Sequence, residues 1–581
     1  MAKGLNRDIG FLCLAVILSV FLNACYVSGL YYEHDVPFYA YSTLKFYKVF
    51  GYLISKGFFH FPLGNILLGL RQTSEYSISG ILPPGINFIF LAAFFIFGKS
   101  FIGIQIFSLI ANLSSVILLY LLAKHILGKE IRLYFLLPVF YALFNVCEAI
   151  QGHTSNAETF LSTFEIASIL FIGLAAVKKK DVFYLLGGFL SGLGFFVKQS
   201  AFATFAAGLV FIFAAKLIYK EPLRFFLKKI FYFTGSFLAP LLLLSAYLLY
   251  AGMWGIFIKN PLLLASRYIT NVNLMRNSYL SWSSLKAWQM LKFEIIIFGS
   301  LALTGIVYAV TQYRKPERLL ALIWFAVPTL IISRFGFHFR HHFIEILASF
   351  LTLSIMGLSD ILNLAKTLFE RKMIFLKISI GFAVFILAFP FFHLMTPLIK
   401  QNKPANSFFL TERYLRSRDR AKFTTLLIRE SADAARRFLV SVYIKEHTAK
   451  YDEIFVWDDL GGDSIYLWSG RDTALFFSTK SYFLPGELRG TPFRAVFYNR
   501  EINYKYMQET LLGRLMDKPP VYIVVVRAAL PVPNAPFTAL EMVNLEKRAF
   551  KGFFDFLDKN YRLDKDIMGC LAYRRVTEPA E

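Results

Sequence analysis

Titratable residues stand at the ends of several long apolar segments, where each segment is expected to leave a membrane. Asp35 follows an apolar run of about twenty residues, Glu158 begins another such run and Lys198 ends a third. Carboxylates at these places can accept a proton or hold a cation, whereas lysine can bind an anion such as phosphate. Simpler interpretations stay open: a solvated helix end for Asp35, and for Glu158 a carboxylate favoured by the helix dipole.

A cluster of histidines lies in the segment "HFRHHFIE", residues 338–345. In a helix, His341 and His342 follow His338 by three and four residues, and Glu345 follows His342 by three, so these side chains are neighbours. Such a group can bind a divalent metal. With Arg340 it can instead bind phosphate, or it can contact lipid headgroups. The spacing leaves these alternatives open.

The composition excludes an ordinary soluble protein. Of 581 residues, 56% are hydrophobic and 18% are aromatic, and the mean hydropathy is +0.53, whereas soluble domains are roughly half apolar. We predict a polytopic α-helical membrane domain in residues 1–399 and a C-terminal soluble α/β domain in residues 400–581, where the composition turns polar. The four cysteines are scattered and form no disulfide framework or metal pattern.

Apolar runs of sufficient length predict about eleven membrane spans. They are residues 9–30, 101–123, 131–149, 157–177, 182–197, 200–217, 230–250, 291–311, 318–333, 343–362 and 374–397. The run 83–98 is short and begins with two prolines, so we interpret it as an interfacial or re-entrant helix. It belongs to a long first outer loop, residues 31–100.

The formal charge of +24 is explained by membrane topology, and no nucleic-acid partner is expected. Every loop on the side of the N-terminus is basic, for instance Lys178-Lys179-Lys180 and "QYRKPER". The positive-inside rule therefore places the N-terminus in the cytoplasm and the C-terminal domain outside the plasma membrane. Lys198 is an exception, because it ends a span on the side where lysines are depleted, and an exception of this kind predicts an anion-binding role.

The C-terminal part shows α/β patterning. The strings "EIFVW", "VYIVVV" and "GCLAYRR" predict strands, and "NLEKRAFKGFFDFLDK" has helical periodicity. Asp458, Asp459 and Asp463 lack the spacing of a calcium loop, so a solvated turn is expected there.

Several motifs, taken in order, resemble those of the GT-C glycosyltransferases that use polyprenyl-phosphate sugars, in the branch of bacterial protein O-mannosyltransferase-like and lipid A aminoarabinose transferase-like enzymes. "HDVPFYAY" is similar to the first-loop pattern D-E-x-x-x-A-Y, with Val36 in place of the Glu. "LPPGINFIF" resembles a K-P-P segment, with Leu82 in place of the Lys. "GHTSNAETFLSTFEIAS", "GGFLSGLGFFVKQSA", "FRHHFIEILASF" and "YDEIFVWDDLGGDSIYLWSGR" resemble later segments.

This resemblance implies a GT-C fold and a function. Asp35 falls on the catalytic aspartate and Glu158 on the second acidic position. Donor-phosphate binding is assigned to four residues, which are Lys198, Arg267, Arg340 and His341. The implied activity is inverting transfer of a sugar from a polyprenyl-phosphate donor to a lipid, glycan or protein acceptor at the outer face of a prokaryotic plasma membrane. A divalent metal ion is left open, and no other cofactor is implied.

Two alternatives remain. A transporter or flippase of a lipid-linked sugar commonly has repeated halves, but no clear repeat is present, and the polar candidates cluster on one membrane face. An oligosaccharyltransferase-like enzyme would carry a WWD-type motif, which the sequence lacks. The sequence also lacks a Walker or Rossmann glycine motif, which agrees with a donor that lies in the bilayer.

Overall fold

The fold was analysed in a computed structural model. It describes residues 2–24, 84–99, 101–127, 133–147, 150–250, 280–335, 340–369, 413–458, 462–473, 504–527 and 539–576, with residues 27, 36, 39, 40, 43, 44, 47, 254 and 393. Asp35, Arg267 and the predicted span 374–397, apart from His393, lie outside the described residues.

Apolar helices make up most of the described residues as far as Phe369. They are α1 (Ala2–Ala24), α2 (Gly85–Phe97), α3 (Phe101–Leu122), α4 (Leu136–Val146), α5 (Ala157–Lys178), α6 (Val182–Val197), α7 (Phe202–Tyr219), α8 (Leu223–Tyr250), α9 (Leu280–Thr311), α10 (Pro316–Phe335) and α11 (Ile344–Phe369). Within the described part of the chain, 7 helices are long and apolar enough to cross a membrane, and four more apolar helices are shorter. The other ten predicted spans all fall on these helices, so the polytopic architecture is confirmed.

The apolar run in the first outer loop forms α2, which begins directly after Pro84. Its 13 residues extend only about 20 Å, less than the hydrocarbon core of a bilayer. Ile86, Phe90 and Phe94 are buried on one face of this helix. The predicted short helix is therefore present, and its interfacial or re-entrant position stays a prediction.

Glycines let two pairs of helices approach at backbone distance. A Cβ atom at Gly188 in α6 would collide with the carbonyl oxygen of Phe233 in α8, and α9 and α11 cross in the same way at Gly305 and Gly357. Small residues at helix interfaces allow this close packing in membranes. The two crossings fix α6, which ends next to Lys198, and α11, whose first turn carries Glu345.

The C-terminal part contains a five-stranded mixed sheet in the order β2-β1-β3-β5-β4. Its strands are β1 (Glu453–Trp457), β2 (Asp472–Thr473), β3 (Tyr522–Val526), β4 (Tyr561–Ile567) and β5 (Cys570–Arg575). The first three pair in parallel, and β5 pairs antiparallel with both β3 and β4. The predicted strands β1, β3 and β5 are confirmed, whereas β2 and β4 were not predicted.

Helices cover the sheet. They are α12 (Arg420–Glu430), α13 (Ala432–Glu446), α14 (Asp463–Ser469), α15 (Tyr504–Asp517), α16 (Ala539–Ala549) and α17 (Lys551–Asn560). The helical pattern of residues 544–559 is confirmed, and the backbone at Phe550, with φ −132° and ψ 54°, divides this segment into α16 and α17. The aromatic side chains Phe550 and Phe553 then pack against Trp457 under the sheet.

The predicted solvated turn after β1 is wrong. Asp458 is 5% exposed and Asp463 is 0% exposed. Asp458 accepts a hydrogen bond of 3.0 Å from Nε of Arg437, which is itself buried and also pairs with Asp433. These aspartates therefore belong to the interior of the domain, where a buried carboxylate needs a cationic or hydrogen-bonding partner.

The sheet domain packs against the membrane helices. Phe101, at the start of α3, lies edge-on to Trp468 of α14, with ring centroids 5.5 Å apart. Phe90 and Phe94 of α2 belong to the same buried apolar cluster as Ile465 of α14. The sheet domain and α2 thus share one hydrophobic core.

Candidate active site

The structure brings together three of the six residues that the sequence assigned to the site. Glu158, Lys198 and His341 form one cluster. Arg340 begins a 3₁₀ turn (Arg340–Phe343) beside them, and only its backbone is described. Because Asp35 and Arg267 lie outside the described residues, their roles stay predictions.

Lys198 is the centre of this cluster. Its Nζ atom forms an ion pair with Oε1 of Glu158 and donates a 2.7 Å hydrogen bond to Oε1 of Glu345. The lysine has an extended backbone (φ −154°, ψ 138°) directly after α6, so its side chain leaves the helix end. Glu158 lies in the first turn of α5 and Glu345 in the first turn of α11. Three helix ends therefore meet at a single ammonium group.

Two histidines complete the cluster on the side of Glu158. Nε2 of His341 lies 3.7 Å from Oε1 of Glu158, and Nε2 of His342 lies 3.8 Å from the same oxygen. Ligand atoms of these three residues all fall within 4.8 Å of one another. One carboxylate and two imidazoles are a suitable donor set for a divalent cation such as Zn²⁺. The same group also suits an anion when the histidines are protonated.

A further buried carboxylate lies deeper in the bundle. Glu165 follows Glu158 by two helical turns on the same face of α5, and both are buried, at 4% and 5% exposure. An oxygen of Glu165 accepts a hydrogen bond of 3.0 Å from Oγ1 of Thr204. Glu158 and Glu165 therefore lie on the same face of α5.

A buried chain of asparagines holds the segment that precedes Glu158. Nδ2 of Asn112 donates to Oδ1 of Asn23 at 2.7 Å and to the carbonyl oxygen of Gly152 at 2.9 Å. Nδ2 of Asn145 donates to Oδ1 of Asn112 at 2.8 Å. This network joins α1, α3 and α4 to the loop that leads to Glu158. This network was not predicted from the sequence, although amides inside apolar helices are an available signal of interhelical hydrogen bonds.

Glu345 was noted in the sequence only for its spacing from His342. Its contact with Lys198 joins residues 147 positions apart, so no local pattern reveals it.

A bundle of apolar helices with a polar cluster at one end, followed by a small mixed α/β domain, is the GT-C fold of membrane glycosyltransferases. Residues 82–250, which include Glu158 and Lys198, match the family model of dolichyl-phosphate-mannose-protein mannosyltransferases.

Two solved structures are similar over almost the whole chain. ArnT from Cupriavidus metallidurans, bound to undecaprenyl phosphate, gives a TM-score of 0.54 at 10% identity and covers 100% of this chain and 99% of its own. The archaeal oligosaccharyltransferase AglB from Archaeoglobus fulgidus, in complex with an inhibitory peptide and a dolichol-phosphate, gives 0.51 at 11% identity, with 99% and 75% covered. No curated protein sequence matches this chain. At these identities the likeness shows the fold, so the predicted GT-C architecture is confirmed.

Proposed function

We propose that this protein is an integral-membrane glycosyltransferase that moves a sugar from a polyprenyl-phosphate donor to an envelope acceptor. The observation that carries the proposal is the buried cluster of Lys198, Glu158 and His341 at one end of a GT-C bundle. The match of residues 82–250 to a family with a lipid-phosphate sugar donor supports it. The lipid phosphates in the ArnT and AglB structures support the same class of donor.

The proposed reaction is an inverting displacement. Asp35 removes the proton from the acceptor hydroxyl, whose oxygen bonds to the anomeric carbon on the face opposite the phosphate. The bond between that carbon and the phosphate oxygen breaks, and polyprenyl phosphate leaves with the electron pair. Lys198 and His341, with Arg267 and Arg340, stabilise the charge that develops on the leaving group. Glu158 orients the acceptor.

The proposed sidedness follows from the basic loops. The N-terminus lies in the cytoplasm, and the cluster and residues 400–581 lie outside a prokaryotic plasma membrane. Nucleotide sugars are cytoplasmic, so a polyprenyl phosphate that crosses the bilayer supplies the donor at this face. Residues 400–581 share a core with the first outer loop, a position that suits covering the site or selecting a lipid A, glycan or protein acceptor.

Sugar transfer by the purified protein in lipid tests this function. We expect the wild type to consume one member of a panel of synthetic polyprenyl-phosphate sugars when envelope extract supplies the acceptor. Asp35→Asn is expected to lower the rate about 10²- to 10⁴-fold, because it removes the general base. Asp181→Asn is the matched control, since Asp181 lies at the opposite end of α6 from Lys198. Translocation of lipid-linked sugar without donor consumption would instead identify a flippase.

We also propose that Glu158, His341 and His342 hold a divalent cation, which would supply a Lewis acid beside the donor phosphate. Metal-free protein is expected to bind about one Mn²⁺ or Zn²⁺ at this donor set. His342→Ala is expected to weaken the binding at least about tenfold through loss of one ligand. His447→Ala, in the outer domain, is the control. Equal metal affinity in the His342→Ala variant and the wild type would remove the assignment.

A further inference from the structure

We infer that Glu345 is a positioning residue that keeps Lys198 in the site while the donor phosphate takes the place of Glu158 on the ammonium. The negative charge of Glu345 then keeps phosphate binding weak enough for polyprenyl phosphate to leave. This inference rests on the proposed function and concerns the same site.

The buried carboxylate of Glu345 is paired with the ammonium of Lys198. Its side chain is 1% exposed, and its Oε1 atom accepts the 2.7 Å hydrogen bond from Nζ of Lys198. Its other oxygen, Oε2, is buried and has no hydrogen-bond partner among the residues that the structure describes. A buried carboxylate that loses its cation is strongly destabilised. Glu345 therefore retains Lys198 when a ligand arrives.

Glu158 is the exchangeable partner. The oxygen that meets Lys198 also lies 3.7 Å and 3.8 Å from the imidazole nitrogens of His341 and His342. These rings remain beside Glu158 when Lys198 turns towards a phosphate, so the carboxylate keeps polar neighbours. When the ammonium of Lys198 moves from Glu158 to the phosphate, Glu158 therefore keeps its imidazole neighbours and Glu345 keeps Lys198.

The charge of the cluster limits the attraction for an anion. Two carboxylates face one ammonium at Lys198. In a site of low dielectric, a negative charge beside the ammonium cancels much of its field. A transferase that forms polyprenyl phosphate must release it in every cycle, and product release limits the turnover of many enzymes. Glu345 thus lowers the affinity of the site for phosphate, so that Lys198 can bind the donor and the product can still leave.

Binding of polyprenyl phosphate and of inorganic phosphate to the purified protein in nanodiscs tests the inference. Glu345→Gln is expected to tighten the binding of polyprenyl phosphate by roughly tenfold or more, because it removes repulsion and keeps the side-chain volume. In the transfer assay, kcat and KM are both expected to fall as product release slows. If Glu345→Gln also binds inorganic phosphate more tightly than the wild type does, Glu345 repels the phosphate group rather than the lipid chain.

Two further variants make the result decisive. Glu294→Gln is the matched control, because Glu294 is also fully buried but pairs with His393 and not with Lys198; its phosphate affinity is expected to equal that of the wild type. Glu345→Asp draws the carboxylate back by one methylene and is expected to give intermediate affinity, which provides the test if Glu345→Gln does not fold.

Unchanged or weaker binding in a folded Glu345 variant would overturn the inference, since a purely structural role gives no tightening. If the wild type transfers sugar and Glu345→Gln binds phosphate no more tightly, the inference alone fails. If the wild type neither binds polyprenyl phosphate nor transfers sugar, the proposed function fails together with it.

Discussion

Replacing Lys198 by methionine is expected to lower sugar transfer by about 10²- to 10³-fold, the loss typical of removing one group that stabilises a developing negative charge. The same change is expected to destabilise the folded protein by about 3–5 kcal/mol, because removing one partner of a buried ion pair leaves the other charge without compensation. Glu158 and Glu345 have side chains only 6% and 1% exposed, so water does not replace the ammonium.

The two effects of Lys198→Met can be separated by a triple variant. Lys198→Met combined with Glu158→Gln and Glu345→Gln removes all three charges, and its thermal stability in lipid is expected to return towards that of the wild type. Its sugar transfer is expected to stay low, because no ammonium remains to meet the phosphate. A Lys198→Met protein that keeps full turnover would remove Lys198 from the phosphate site, whatever its stability.

The membrane part of the fold was largely predictable because hydropathy is a local property. Each apolar run of sufficient length predicts a helix without information from the rest of the chain. The positive-inside rule likewise identifies Lys198 as an exception from the sequence alone. Glu345 and the asparagine network were not predictable in the same way. The hydrogen bonds of Asn112 and the ion pair of Glu345 join residues 33 to 147 positions apart. Contacts between such distant positions produce no repeating pattern that a single sequence could show.

In the C-terminal sheet domain, the prediction succeeded where a strand is buried on both faces. All five residues of β3 are buried, and the corresponding string is continuously apolar. The edge strand β4 was missed because five of its seven residues are exposed and its sequence is polar. The sequence predicted a solvated turn at the buried Asp458 because its partner, Arg437, lies 21 residues earlier in helix α13. Local composition therefore predicted the centre of the sheet better than its edge or its buried charges.

Another buried ion pair joins α10 to α11 on the far side of the bundle from the cluster. Nη1 and Nη2 of Arg318, in α10, donate to the two carboxylate oxygens of Asp360 at 2.7 Å each, and the two side chains are 3% and 6% exposed. Asp360 lies 15 residues after Glu345, about 22 Å along the same helix. This bidentate geometry is the strongest that arginine forms with a carboxylate.

Asp360→Ala is expected to lower the free energy of unfolding by about 3–5 kcal/mol, because the guanidinium of Arg318 then stays buried without its carboxylate. The double variant Arg318→Leu with Asp360→Leu is expected to lie close to the wild type, since apolar residues of similar volume replace the whole pair. Thermal unfolding and resistance to protease in lipid measure both effects. Asp181→Ala provides the comparison at the same end of the bundle. Its ion pair with Lys228 has side chains 31% and 46% exposed, so a loss of no more than about 1 kcal/mol is expected.

The behaviour of the double variant decides what the Arg318–Asp360 pair does. If both the single and the double variant are destabilised equally, the charges themselves stabilise the crossing of α10 and α11. If only the single variant is destabilised while transfer by the double variant falls, the pair specifies the position of α11, and with it the placement of His341, His342 and Glu345 around Lys198. We expect the double variant to keep its stability and its transfer rate, because the glycine crossing of α9 and α11 already fixes this helix at Gly305 and Gly357.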